Sequence, residues 1–209
     1  MEKMGLEQML VSNPNSIWYL TGYYVFPYER MLVLYLRRDG NHILFLNRLF
    51  PEPEADCRQI WFSDTDDCVA MVAEQVDGSK PLGIDKEWPA MFLLPLMDRL
   101  PDCRCVLASD CVDNVQACKD SVEQELMREA SRINDQVMER AAERLKEGVT
   151  EKEIADYIVS QYTAEGCDSE AFQTIVSFGP NAADPHHEPD DTVLKASTWA
   201  AKRPAIAPI

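Results

Sequence analysis

The 209-residue sequence predicts an α/β (α+β) chain: a first domain with a mixed sheet and flanking helices, then an incomplete second domain. Three observations predict it. Short apolar runs of strand length alternate with helix-spaced segments as far as Val115. A single long amphipathic stripe then opens after Lys119. Last, one strand candidate leads into the loop "FGPNAADPHHEPDD", where two of the chain's three histidines, His186 and His187, stand side by side.

The elements follow in order. Met31 to Leu36 is a continuous apolar run, Arg37 to Asn41 carries Asp-Gly turn chemistry, and His42 to Leu46 returns, which is the pattern of a β-hairpin. Ile60 to Phe62 is a short third strand. Cys68 to Val76 places Val69, Val72, Ala73 and Val76 at helical spacing. Leu82 to Ile84 and Cys105 to Leu107 read as further buried strands. Between them Ala90 to Leu100 reads as a helix that tolerates Pro95 only with a kink or a late start. From Ser121 the apolar positions Val122, Leu126, Ala130, Ile133, Val137, Ala141 and Leu145 step by three or four along one helical face. Ser121 and Gln124 fit a capping box at its start, and Gly148 is a natural stop. Thr150 and Glu153 form a second box, opening a helix with Ile154, Ala155, Ile158 and Tyr162 inward, and Phe172 to Phe178 is the strand candidate. One strand cannot cover two amphipathic helices, so this second domain reads as incomplete. Residues 196–209 show neither strand nor helix periodicity and read as a tail.

Composition narrows the functional classes. A net charge of −16 argues against nucleic acid, whose phosphates need clustered Lys and Arg, and against an anionic membrane surface. No apolar run approaches the length that spans a bilayer, and the start carries no apolar stretch of leader length, so a cytoplasmic protein is expected. The seven cysteines are odd in number and irregular in spacing. Free, reduced thiols are the expected state rather than a disulfide framework or a zinc site.

Chemistry-bearing residues are few. Neutral imidazole serves as a general base, as a donor to a developing oxyanion or as a metal ligand. From the residues alone, Pro185-His186-His187 fits a solvated loop, a catalytic histidine or a local metal site built from His186, His187 and Glu188. Neighbouring side chains in an extended segment point to opposite sides, so at most one histidine faces a given site. The aromatic stretch Asn13 to Tyr24 fits the edge of a core or the lining of a ligand pocket. No phosphate-cradling glycine loop and no GxSxG nucleophile motif is present.

Three stretches carry a resemblance. "NSIWYLTGYY" is similar to the N-terminal signature of the proline-specific aminopeptidases and dipeptidases, whose first domain is shared with creatinase. "KDSVEQELMREASRINDQVMERAAERLKEGVTEKEIADYI" resembles the two opening helices of their pita-bread catalytic domain. "FQTIVSFGPNAADPHHEPDDTVLK" is similar to the strand and loop that carry the family's first active-site histidine. The resemblance implies a creatinase-like domain over 1–118, the N-terminal part of a pita-bread domain over 119–195 and a non-family tail over 196–209.

It also implies a chemistry. The family hydrolyses the bond between an N-terminal residue and a following proline with two divalent ions (manganese, cobalt or zinc) that share a hydroxide. By position, the resemblance places the active-site histidine at His186, where it donates toward the substrate or the tetrahedral intermediate and is not a metal ligand. His187 falls where the family varies and is assigned a structural role. The five ligands of the family (two Asp, one His, two Glu) belong to sequence beyond Lys195. There the family continues with a Gly-Asp turn and an Asp-x-Gly strand, and here the text reads Ala196-Ser197-Thr198-Trp199. No metal is therefore expected at the family site, and no peptidase activity from these residues alone. The expected partners are proline-containing peptides in the intact family, with a possible homodimer and no nucleic acid or membrane. A chain truncated by a frameshift or misjoined gene end is one expectation; a non-catalytic binding or dimerisation module derived from the family is the other.

Overall fold

Met9, Leu10 and Val11 are three consecutive apolar residues early in the chain, and they lie at the centre of the first sheet. The computed structural model describes residues 1–195 and the backbone of 205–206, in two compact units, Met1–Lys119 and Asp120–Ile209.

The first unit is built on strands β1 (Gln8–Val11), β2 (Val33–Arg37), β3 (Ile43–Asn47), β4 (Arg58–Phe62), β5 (Leu82–Ile84) and β6 (Cys105–Leu107), in the sheet order β4-β3-β2-β1-β5-β6. The predicted hairpin is β2 and β3, antiparallel, and β1 joins β2 antiparallel. β4, β5 and β6 add in parallel, so the sheet is mixed. Because successive strand side chains face opposite ways, each strand feeds two cores. Leu10, Val33, Tyr35, Phe45 and Leu82 pack on one side with helices α2 (Cys68–Ala73) and α3 (Ala90–Arg99) through Val72 and Leu96. Met9, Val11, Leu34, Leu44 and Leu46 pack on the other with Ile17 of α1 (Pro14–Thr21) and Val112 of α4 (Asp110–Ala117). β1, α1 and α4 are not predicted by the periodicity. β1 is too short to alternate, and α1 starts from a cap rather than a stripe: Asn13 accepts from Ser16 N at 2.9 Å and Pro14 occupies the first helical turn. α3 runs unbroken from Ala90 through Pro95, without the late start.

Where β5 crosses β1 and the start of α4, only glycine fits. A Cβ on Gly83 would lie 2.7 Å from Met9 Cβ and 2.8 Å from Ala108 Cβ. That absence of a side chain lets the strand and the helix entrance close together.

The second unit holds α5 (Ser121–Arg144), α6 (Glu151–Ala164), β7 (Val176–Ser177) and a return of backbone, β8 (Ala205–Ile206), paired antiparallel with β7. The capping box of α5 sits one residue earlier than the sequence predicts. Asp120, not Ser121, accepts from Val122 N and Glu123 N at 2.8 and 2.9 Å, and Glu123 answers to Asp120 N at 2.8 Å. Two boxes overlap in the sequence, and the charged carboxylate takes the helix N-terminus in preference to a hydroxyl. The Thr150–Glu153 box of α6 is as predicted. Ile154, Ala155, Ile158 and Tyr162 point inward and pack with Val137, Ala141, Val176, Phe178 and Leu194. The stripe of α5 is covered only in its second half. Val122 and Leu126 are 66% and 67% exposed. The predicted strand over 172–178 shortens to Val176–Ser177. Tail residues 196–204 and 207–209 lie outside the described residues, and 205–206 form the short strand that the tail's lack of pattern does not predict. Among the described residues no helix is long and apolar enough to cross a membrane.

Candidate active-site loop

The loop that carries the histidines starts where β7 ends. Phe178, buried at 1% exposure, closes the core of the second unit, and Gly179 then takes the left-handed conformation with φ of 55°. A 3-10 turn over Gly179–Ala183 follows, and Pro185 and His186 form a turn. Beyond them the chain runs back along the start of α6. Gly148 N donates to Leu194 O at 3.0 Å, and Leu194 N to Val149 O at 2.8 Å. Glu151 N and Lys152 N donate to Thr192 O and Asp190 O, both at 3.1 Å. A helix leaves its first amides without internal partners, and here the returning loop supplies the acceptors.

Glu151, fully buried in the first turn of α6, is the hub. Its Oε1 accepts from Phe178 N and from Asn181 Nδ2 at 3.0 Å. Its Oε2 pairs with His187 Nε2 at 2.7 Å and accepts from Asp190 N at 3.3 Å. Asn181 Nδ2 stands 3.1 Å from His187 Nε2 as well, so that ring nitrogen lies between the amide and the carboxylate. Asn181 Nδ2 also reaches Thr192 Oγ1 at 3.2 Å. A buried carboxylate is costly unless its lone pairs are filled, and these four partners plus the positive end of α6 fill them. The Asp190 carboxyl is held below the ordinary aspartate range, chiefly by hydrogen bonds from the side chain and backbone of Thr192.

The two histidines diverge. His187 turns inward, its side chain 16% exposed, while His186 is exposed. His186 is fixed through its backbone, its N–H donating to Asp184 Oδ1 at 2.9 Å. Glu188, the third member of the local metal site weighed from the sequence, is exposed and does not join His187 in a ligand cluster. In the aromatic stretch, Ile17 and Tyr23 enter the core, whereas Trp18 and Tyr24 stay exposed in an edge-on pair 6.4 Å apart. Glu151, Asn181 and Thr192 hold the histidine loop together and were not singled out from the sequence. The Thr150–Glu153 box marks the right turn of helix, but burial of the acid inside it has no local signature.

Residues 1–118 match the Creatinase/Prolidase N-terminal domain, and residues 125–199 match metallopeptidase family M24. The chain belongs to the creatinase/prolidase N-terminal domain family, whose match spans more than half of it. It is 31% identical over 199 residues to a "Probable dipeptidase PepE" of Mycobacterium tuberculosis, covering 91% of this chain and 52% of that one. An uncharacterised peptidase of Staphylococcus saprophyticus is 28% identical over 189 residues, covering 88% and 53%. Among solved structures, dipeptidase PepE from Mycobacterium ulcerans superposes with a TM-score of 0.83 at 30% identity, covering 93% of this chain and 54% of that one. A recombinant prolidase from Thermococcus sibiricus superposes with a TM-score of 0.79 at 28% identity, covering 93% and 55%. The chain therefore spans about half the length of the curated relatives it matches.

The metallopeptidase match implies divalent ions in an intact enzyme. Among the described residues the cluster with metal-ligand geometry is Glu151, His187 and Asp190, their ligand atoms within 4.8 Å of one another. It does not fit the role. Both oxygens of Glu151 already accept from protein donors, and His187 Nε2 is already engaged by Glu151 Oε2 and Asn181 Nδ2. A cation there would break the bonds that hold the loop.

Proposed function

We propose that this chain is the N-terminal portion of an Xaa-Pro metallopeptidase, with 1–118 as its creatinase-like domain and 119–195 as the opening of its pita-bread catalytic domain. In that enzyme His186 is a catalytic residue. The observation that carries the reading is the divergence of the paired histidines: His187 is consumed by Glu151, while the His186 imidazole stands free of the core on a braced loop. A donor held ready in this way stabilises charge that develops on a carbonyl oxygen as an amide is attacked, which is a large term when water is excluded. The substrates in this reading are peptides with proline second, the location is cytoplasmic, and the exposed rings of Trp18, Tyr24, Phe26 and Tyr28 support a homodimer. All seven cysteines are free thiols, which suits a reducing compartment.

Hydrolysis of an Xaa-Pro dipeptide and of a longer Xaa-Pro peptide, with manganese added, tests the proposal. Two chains are compared: the 209-residue chain, and residues 1–195 continued by the C-terminal half of the mycobacterial PepE dipeptidase. The continued chain is expected to turn over proline peptides, the 209-residue chain is not, and His186→Ala lowers kcat of the former by about 100-fold or more. Chelator-sensitive turnover by the 209-residue chain would sink the reading. Light scattering of the same samples reports the dimer.

The second reading, a non-catalytic module that retains the creatinase-like domain, is favoured by one observation: that unit closes cores on both faces of its sheet with its own helices. Under that reading the continued chain stays inactive.

A further inference from the structure

We propose that Glu151 is the positioning residue for His186, acting through Asn181 and His187. This deepens the reading of His186 above and rests on it for the consequence in catalysis, though not for the geometry.

The His186 ring makes no hydrogen bond of its own among the described residues, so the backbone on either side decides where it stands. Both sides end on one carboxylate. On the N-terminal side Phe178 N and Asn181 Nδ2 donate to Glu151, and Asp184 N is bonded to Asn181 O at 3.0 Å. Asp184 in turn holds His186 N through Oδ1 and His187 N through its carbonyl oxygen at 3.3 Å. On the C-terminal side His187 Nε2 is paired with Glu151 Oε2, and Asp190 N donates to the same oxygen. Glu151 itself cannot drift, because it sits in the first turn of a helix whose capping box is complete and whose next face is core. The loop is thus wound around a fixed anion, and His186 is the residue at the outside of the bend. His187, assigned a structural role by the family resemblance, is the link by which the anion reaches the residue next to it.

A merely structural acid and a positioning acid make different predictions. NMR of the full 209-residue chain reads them apart, using Glu151→Gln, His187→Leu and His187→Gln. Gln keeps the shape of Glu151 but, whichever way its amide turns, sets an N–H against the N–H of Phe178 or of Asp190. Leu at 187 removes the ring's polar link and leaves Glu151 its other partners, whereas Gln at 187 restores a polar group able to bond Oε2. The expected result is that Glu151→Gln and His187→Leu shift the His186 ring resonances and speed amide exchange at Phe178 and Asp190. Val137 and Ile158 amides stay protected, and His187→Gln returns the His186 signals toward those of the parent chain. In the continued chain described above, Glu151→Gln is expected to lower kcat about 10-fold or more with KM little changed, since displacement of a reacting group acts on the chemical step. Unmoved His186 resonances in both Glu151→Gln and His187→Leu would overturn the proposal. If Glu151→Gln unfolds the second unit, His187→Leu and its rescue decide alone. If His186 moves as expected but His186→Ala leaves hydrolysis intact, the positioning stands and the catalytic reading of His186 fails.

Discussion

α4 in the first unit and α5 in the second are both amphipathic, yet they end differently. Val112 of α4 is buried against the Ala108 and Met9 side of its sheet, with Cys111 packed beside it, and of its large apolar residues only Val115 near the helix end is left exposed. α5 buries Val137 and Ala141 and leaves Val122, Leu126 and Met127 in solvent. The contrast is one of available surface. Six strands give the first unit two faces to cover its helices, whereas β7 contributes two residues to the second. An apolar stripe is thus a statement of what a helix needs, and the sheet beside it decides how much of that need is met.

Substitutions can sharpen or break this contrast. The largest effect is expected in the covered half of the second unit, where Ile158→Ala should cost about 3 kcal/mol, read as loss of amide protection across α5 and α6. A cost near zero would mean that this core is not packed. Gly83→Ala in the first unit should cost about 2 kcal/mol in denaturant unfolding, because its new methyl meets Met9 and Ala108 inside ordinary contact distance. By contrast Leu126→Gln should change stability by less than about 0.5 kcal/mol while reducing self-association at high concentration. A loss as large as that of Ile158→Ala would show that the first half of α5 is covered after all. The smallest effect is at Thr192. Its hydrogen bonds depress the Asp190 carboxyl, so the stabilisation they give is present above the ordinary aspartate range and is lost as pH falls through the lowered value. Thr192→Val should move the Asp190 titration, followed by NMR, back up toward that range; an unchanged midpoint would assign the shift to the backbone amide instead.

The legible parts of the molecule are those with a local signature. The β2–β3 hairpin was visible because two apolar runs flank Asp39-Gly40, and α6 because Thr150 and Glu153 bracket its start. β1 was not, although it lies at the middle of the sheet, since three apolar residues in a row have no period. At the loop, Pro185-His186-His187 drew attention as a pair, but which histidine turns inward depends on a carboxylate 36 residues away in the chain. No reading of neighbours could find Glu151, whose significance lies in being an acid that is buried.

The return of residues 190–194 along the first turn of α6 carries a dynamic consequence. Backbone donors at 148, 151 and 152 and the Glu151 side chain share their bonds with the same short stretch, so the histidine-bearing bend has no private opening motion. It breathes when the helix frays and not otherwise. Its exchange rates should track those of the α6 N-terminus, making loop and helix end a single cooperative unit.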